Sequence, residues 1–154
     1  MKKLNIGCGN DIKEGFVNVD IRKTDPRVLV CDIRKLPFKD EEFDYIYAKD
    51  IIEHVGRLEV HDVLKEWARV LKKGGEIFIM TPNLKTIAQA YLDGRIDARE
   101  ASRLMFGQQD YKYNYHYFIF DERWAREELE KVGLLVKSVR SVSTQNMQII
   151  SVKK

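Results

Sequence analysis

The sequence predicts an α/β fold with a mainly parallel sheet and one antiparallel strand at its end. Three observations predict it. Short β-patterned runs finish repeatedly on a glycine turn or a carboxylate, an amphipathic helix feeds directly into another apolar run, and the last two runs are separated only by the polar residues Ser143 to Asn146. So short a link makes the final pair an antiparallel hairpin. With 154 residues and 44% apolar content, the chain fits a single domain, 1–154.

The first stretch, LNIGCGNDIKEGFVNVD, alternates Leu4 and Ile6 with Asn5, breaks at Gly7, Cys8 and Gly9, and resumes its pattern at Phe16, Val17 and Val19 before Asp20. A third strand, Val28 to Val30, runs into Cys31 and Asp32. Residues 33–42 read as a loop, and Phe43 to Lys49 as a fourth strand. The helix spans Leu58 to Lys72, with Val60, Val63, Leu64, Trp67, Ala68 and Leu71 on one stripe. Gly74 and Gly75 are expected to stop it, and Glu76 to Thr81 to form the strand it feeds.

Leu84 to Phe106 reads as two short helices broken at Gly94, a helical insertion covering about 84–107, with Asp97 and Glu100 in capping-box spacing. Tyr111, Tyr113, Tyr115 and Tyr117 alternate through a polar loop. Asp121 then caps a helix that runs to Val132 and ends at Gly133. Leu134 to Val142 and Met147 to Val152 are the closing strands.

Only nine residues separate Ile6 from Phe16, too few for the helix that normally links parallel neighbours. A hairpin would place Asp20 at the opposite end from the glycines. Nine extended residues reach roughly 30 Å, however, and a return along a short strand needs about 17 Å, so a parallel connection without a helix is feasible. The link Ile21 to Arg27 is equally short. One face of the sheet is therefore expected to lack helices near its first strands, with Asn5 and Asn18 partly exposed on it. That bareness motivates a possible homodimer.

Lysine and arginine number 27 against 24 acidic residues, a net charge of +3 without long runs, so nucleic acid is not indicated as a partner. The start MKKLNIGCG carries no sustained apolar run, so neither a secretory leader nor a membrane span is expected, and the cytoplasm is the expected location. Cys8 and Cys31 are the only cysteines. In a parallel sheet they would end strands roughly 9.5 Å apart, beyond disulfide reach.

In that arrangement the glycine turn, Asp20 and Asp32 converge at the strand carboxyl ends, where open α/β sheets bind ligands. Side-chain-free amides can approach a ligand closely, and a strand-tip carboxylate can accept the hydroxyl protons of a ribose. Asp32, with the amides of Ile33 and Arg34, could meet an adenine. Each feature alone also reads as a turn, because Ile12 occupies the place of the third glycine in the dinucleotide fingerprint.

LNIGCGN with Asp20, CDIRKLPFKDEEFDYIYAKDIIEHV, and the helix leading into LKKGGEIFIMTPN together resemble the class I S-adenosylmethionine-dependent methyltransferases of the small bacterial methyltransferase-domain type. The resemblance implies a Rossmann-like three-layer fold with a seven-stranded sheet in the order 3-2-1-4-5-7-6, the seventh strand antiparallel, here with its first crossover helices abbreviated or missing. It implies S-adenosyl-L-methionine as cofactor, held by Gly7, Cys8, Gly9, Asn10, Asp20, Ile21, Asp32, Ile33, Lys49 and Asp50. Methyl transfer to a hydroxyl or amine needs a base near the methyl. His116, in the tyrosine loop, is the first candidate and His54 the second, while His61 belongs to the polar side of the long helix. No H-E-x-x-H motif or His/carboxylate cluster marks a metal. The expected acceptor is a small molecule or other polar group. Rival readings are a nicotinamide-dependent oxidoreductase and a non-catalytic cofactor-binding partner subunit.

Overall fold

A computed structural model describes all of residues 1–154. Seven strands form one sheet: β1 Lys3–Ile6, β2 Val17–Asp20, β3 Val28–Val30, β4 Phe43–Lys49, β5 Leu71–Pro82, β6 Leu134–Ser141 and β7 Asn146–Lys153. Their order is β3-β2-β1-β4-β5-β7-β6. β1 to β5 pair in parallel, and β7 runs antiparallel between β5 and β6. Both short crossovers are parallel without a helix, as the reach argument allows. The carboxyl ends of β1 and β2 therefore lie side by side, with Ile6 opposite Val19.

Four helices complete the chain: α1 Val60–Val70, α2 Leu84–Leu92, α3 Ala98–Phe106 and α4 Glu122–Lys131, with a single 3-10 turn at Ile52–His54. Asn83, Asp97 and Asp121 each accept a backbone N–H at the start of their helices. α1 and α4 lie on the face carrying Leu4, Ile6, Val19, Ile46, Ile77 and Ile149, and Trp67 and Leu64 of α1 enter the same core. α2 and α3 pack chiefly on one another.

Two boundaries differ from expectation. α1 begins at Val60, since Leu58 is 82% exposed and contributes nothing to the buried stripe. It ends at Val70, before the glycine pair, because Leu71 turns to extended backbone and pairs with Phe43 at the start of β5. Gly74 and Gly75 thus sit inside β5, where a side chain on Gly75 would strike the Lys72 and Asp44 carbonyls.

The helix-poor face also differs. Asn5 and Asn18 are 2% and 4% exposed, not part-solvated. Asn5 Nδ2 donates to Asn18 Oδ1 at 2.8 Å and to the Asp11 carbonyl at 2.8 Å. Asn18 exchanges hydrogen bonds with the backbone N–H and C=O of Lys13. The short loop folds back over the face and the two amides hold it there. Lys13 lies over the Tyr47 ring and Phe16 packs edge-on against Tyr45, so the loop supplies the cover that a crossover helix would otherwise give.

Candidate active site at the carboxyl edge of the sheet

The turn after β1 is possible only with glycine at its first position. Gly7 has φ +64°, and a Cβ there would lie 2.3 Å from Ile51 Cγ1, inside the side chain that follows β4. The closeness brings the β1 turn against the β4 loop. Between them opens a cavity of about 500 Å³, the size of a small-molecule or cofactor site.

Asp20 ends β2 on its floor. Its Oδ2 accepts the Gly9 N–H at 2.8 Å and its Oδ1 the Arg22 N–H at 2.9 Å, which fixes the carboxylate against the glycine turn. Oδ1 also meets the Arg22 guanidinium at 3.4 Å, so Oδ2 keeps the freer lone pair for a ligand hydroxyl. Asp32 is held otherwise than expected. Its carboxylate accepts the Arg34 N–H at 2.9 Å and the Arg34 guanidinium, whose hydrogen bonds hold its pKa below the usual carboxylate range. The Arg34 amide is therefore taken and is no free donor for an adenine. Ile33 is positioned from behind, where its carbonyl accepts the Trp67 indole N–H at 3.1 Å.

The far side of the cavity is built by the segment after β4 and by the tyrosine loop. Asp50 adopts φ +51° and accepts a hydrogen bond from Asn146 at 3.1 Å, and burial pushes its pKa up. His54 lines the cavity, with Tyr113 and Tyr117 beside it and the Tyr111 ring stacked on the Arg22 guanidinium. The ring of His116 stands 5.0 Å from that of His54, edge to face. Burial lowers the pKa of both, and for His116 the neighbouring His54 adds to it. Glu53, 1% exposed, points inward, and burial pushes its carboxyl up to about 8.

Of the residues expected to hold a cofactor, Gly7, Gly9, Asp20, Ile21, Asp32, Ile33 and Asp50 line the cavity. Cys8, Asn10 and Lys49 do not. Cys8 is buried in the core, and Asn10 and Lys49 are exposed outside the cavity. Of the two candidate bases, His54 faces the cavity while His116 lies behind it, the reverse of the ranking that loop position suggested. His61 pairs with Glu128 on the outer surface. Arg22 and Ile51 were not expected in the site, their one signal in the sequence being a position one or two residues past a carboxylate at a strand end, and of Arg34 only the backbone amide was expected there, not the guanidinium. The sequence also showed no His/carboxylate cluster, yet the ligand atoms of Glu53, His54 and His116 lie within 4.8 Å of one another. No helix is long and apolar enough to cross a membrane.

Residues 4–79 match the methyltransferase domain family. Among curated relatives, ribosomal RNA-processing protein 8 of Rattus norvegicus is 30% identical over 76% of this chain and 25% of its own length. Sterol 4-C-methyltransferase strm-1 of Caenorhabditis elegans is 37% identical over 47% of this chain and 21% of its own. The chain spans well under half the length of the curated relatives it matches. A solved SAM-dependent methyltransferase from Methanosarcina mazei superposes with a TM-score of 0.72 at 19% identity, covering 99% of this chain and 92% of that one.

Proposed function

We propose that this chain, which has the fold of the class I S-adenosylmethionine-dependent methyltransferases and matches the methyltransferase domain over residues 4–79, transfers a methyl group to a hydroxyl or amine of a polar acceptor. One observation carries the reading: the Gly7–Gly9 turn, Asp20 and the Asp32–Ile33 strand end converge on one cavity of about 500 Å³.

The residues fit S-adenosylmethionine. A side chain at Gly7 would strike Ile51 and part the turn from the loop after β4 that borders the cavity with it, and Asp20 Oδ2, which accepts only the Gly9 N–H, retains capacity for a ribose hydroxyl. Ile33 supplies an apolar wall for the adenine. When bound, the cofactor supplies an electrophilic methyl on a sulfonium, and the protein's task is to position the acceptor and keep water out. His54, with His116 behind it, stands on the acceptor side, and both imidazoles are held toward the neutral form that promotes loss of an acceptor proton.

Tyr113 and Tyr117 give flat surfaces at the mouth, and its cations Arg22, Arg34 and Lys112 stand among the carboxylates Asp20, Asp32, Asp50 and Glu59. Such a mouth suits a polar acceptor with a flat group to stack, the unpaired bases of a single-stranded nucleic acid included. The rat relative's name, which concerns ribosomal RNA processing, favours keeping RNA within that class.

Calorimetry with S-adenosylmethionine, S-adenosylhomocysteine and NAD tests the reading. Binding of the first two in the micromolar range without NAD binding is the expected result. Absence of S-adenosylmethionine binding removes the proposal.

A further inference from the structure

The neighbours Glu53 and His54 meet His116, more than sixty residues on in the chain, at the wall of the cavity. The potential ligand atoms of Glu53, His54 and His116 all lie within 4.8 Å of one another. Two ligands on one cation with bonds of about 2.0–2.2 Å stand roughly 3.5 Å apart at a tetrahedral angle, so a cation would draw these three groups inward by small side-chain rotations.

The hydrogen bonds around the cluster leave particular atoms free. Thr81 Oγ1 donates to Glu53 Oε2 at 3.1 Å, but Glu53 Oε1 is buried without any partner, a costly state for a carboxyl group that nothing else in the fold relieves. Each imidazole directs Nδ1 at a backbone carbonyl, His54 at Tyr115 at 3.0 Å and His116 at Leu104 at 3.2 Å. A nitrogen facing a carbonyl must carry the proton. Both rings are thereby set in the tautomer whose Nε2 bears a lone pair, the arrangement that outer hydrogen bonds impose on metal-binding histidines.

The supports are themselves tied together. Tyr117 N–H donates to the Glu53 carbonyl at 2.9 Å, and His116 N–H to the Phe106 carbonyl at 3.1 Å, so the tyrosine loop is strapped to the turn after β4 and to the end of α3.

We propose that Glu53, His54 and His116 bind a divalent transition-metal cation of the zinc, manganese or iron(II) class, and that this cation holds an oxygen of the methyl acceptor. Two imidazoles and one carboxylate form a donor set for such ions that leaves coordination positions open. His54 lines the cavity with Asp50, Tyr113 and Tyr117, whereas Glu53 and His116 do not, so a cation held by the cluster would border that space.

The proposal rests on the methyl-transfer reading and narrows its acceptor to a hydroxyl. An amine bound to the cation would have its lone pair occupied, whereas a coordinated hydroxyl becomes a stronger acid and keeps lone pairs for attack. With their Nε2 lone pairs on the cation, His54 and His116 no longer serve as bases; the hydroxyl releases its proton to bulk water and the oxygen forms a bond to the methyl carbon. The methyl–sulfur bond breaks with its electron pair left on sulfur, giving a methyl ether and neutral S-adenosylhomocysteine.

Cobalt(II) is the probe. The full chain, stripped with EDTA, is titrated with CoCl2 while its visible absorption is followed, and S-adenosylmethionine affinity is measured by calorimetry on the same samples. The expected result is one equivalent of bound cobalt with ligand-field bands in the wild type. Both His116→Gln and Glu53→Gln should weaken cobalt binding at least tenfold while S-adenosylmethionine affinity changes less than twofold, the latter also reporting an intact fold. Absence of stoichiometric cobalt binding in the wild type, or unchanged affinity in both variants, overturns the site. Cobalt binding without S-adenosylmethionine binding supports the site and removes the methyl-transfer reading instead.

Discussion

Asn5 on β1 donates to Asn18 on β2 at 2.8 Å, and both amides reach on to the loop that joins the two strands. Because the loop carries Gly9 and approaches Asp20, this buried pair connects the shortened crossover to the geometry of the cavity. Asn18→Ala leaves the Lys13 N–H without a partner in a dry environment and takes one of the two acceptors from the Asn5 amide. The expected cost is about 2–4 kcal/mol, a fall in Tm of roughly 5–15 °C for a chain of this size. Calorimetric melting measures it, and a loss under 1 °C would show that the amides are not needed.

Gly7→Ala should abolish cofactor binding, because the added methyl meets Ile51 and the left-handed backbone disfavours a side chain. The double variant Gly7→Ala/Ile51→Ala restores space but not backbone freedom. Partial recovery of S-adenosylmethionine affinity is therefore expected, and full recovery would show that conformation at Gly7 is irrelevant.

Asp20→Ala removes the acceptor for a ribose hydroxyl and frees the Gly9 N–H. Charge-assisted hydrogen bonds of this kind contribute about 1.5–3 kcal/mol, so affinity for S-adenosylmethionine should fall at least tenfold. Calorimetry on Asp20→Ala and Asp32→Ala side by side ranks the two carboxylates. The larger loss is expected at Asp20, which is buried and also holds the Gly9 N–H, whereas Asp32 is only half-buried and paired with Arg34.

Burial and then the charge of Asp20 push the Cys8 thiol up to about 11, and burial with Asp32 does the same for Cys31. A raised thiol pKa means less thiolate. At pH 8 only about a thousandth of each would be ionised, against roughly a tenth for an ordinary thiol. Iodoacetamide labelling should be slow at pH 8 and accelerate about tenfold per pH unit toward pH 11. Fast labelling at pH 7 would contradict the buried placement.

Glu66 accepts the Leu36 N–H and pairs with Arg69, which itself donates to the Leu36 and Phe38 carbonyls, so one ion pair ties the loop before β4 to α1. The Arg69 hydrogen bonds lower the Glu66 pKa. A lowered carboxylate pKa stabilises the fold above its unfolded value and the contribution is lost as pH falls through the folded value. Glu66→Gln should therefore melt lower than wild type at pH 7, with the gap narrowing below about pH 4. A gap independent of pH would show that the charge contributes nothing.

The architecture was largely legible in the chain because its signals are local. Period-two runs, the stripe of α1, the caps Asp97 and Asp121 and the brevity of residues 143–146 each depend on neighbours in sequence. The convergence of Gly7, Gly9, Asp20 and Asp32 was legible for a related reason: parallel strands place all their carboxyl ends on one edge. Helix ends were less so. Leu71 satisfies the helical stripe as well as it does a strand, and only its pairing with Phe43 assigns it to β5.

By itself, the sequence made the parallel return of the first crossover and the edge at which a ligand would bind legible through chain reach and alternation, while the strand order came from its resemblance to the class I methyltransferases. Only the tertiary structure decided the state of individual polar groups. Asn5 and Asn18 could have faced water, but a loop folded over them and made them its anchors. Arg34 could have offered its amide to a ligand, but Asp32 took it. Glu53, His54 and His116 became one cluster because the loop after α3 closes over the turn after β4, a contact between segments far apart in sequence that no local pattern encodes.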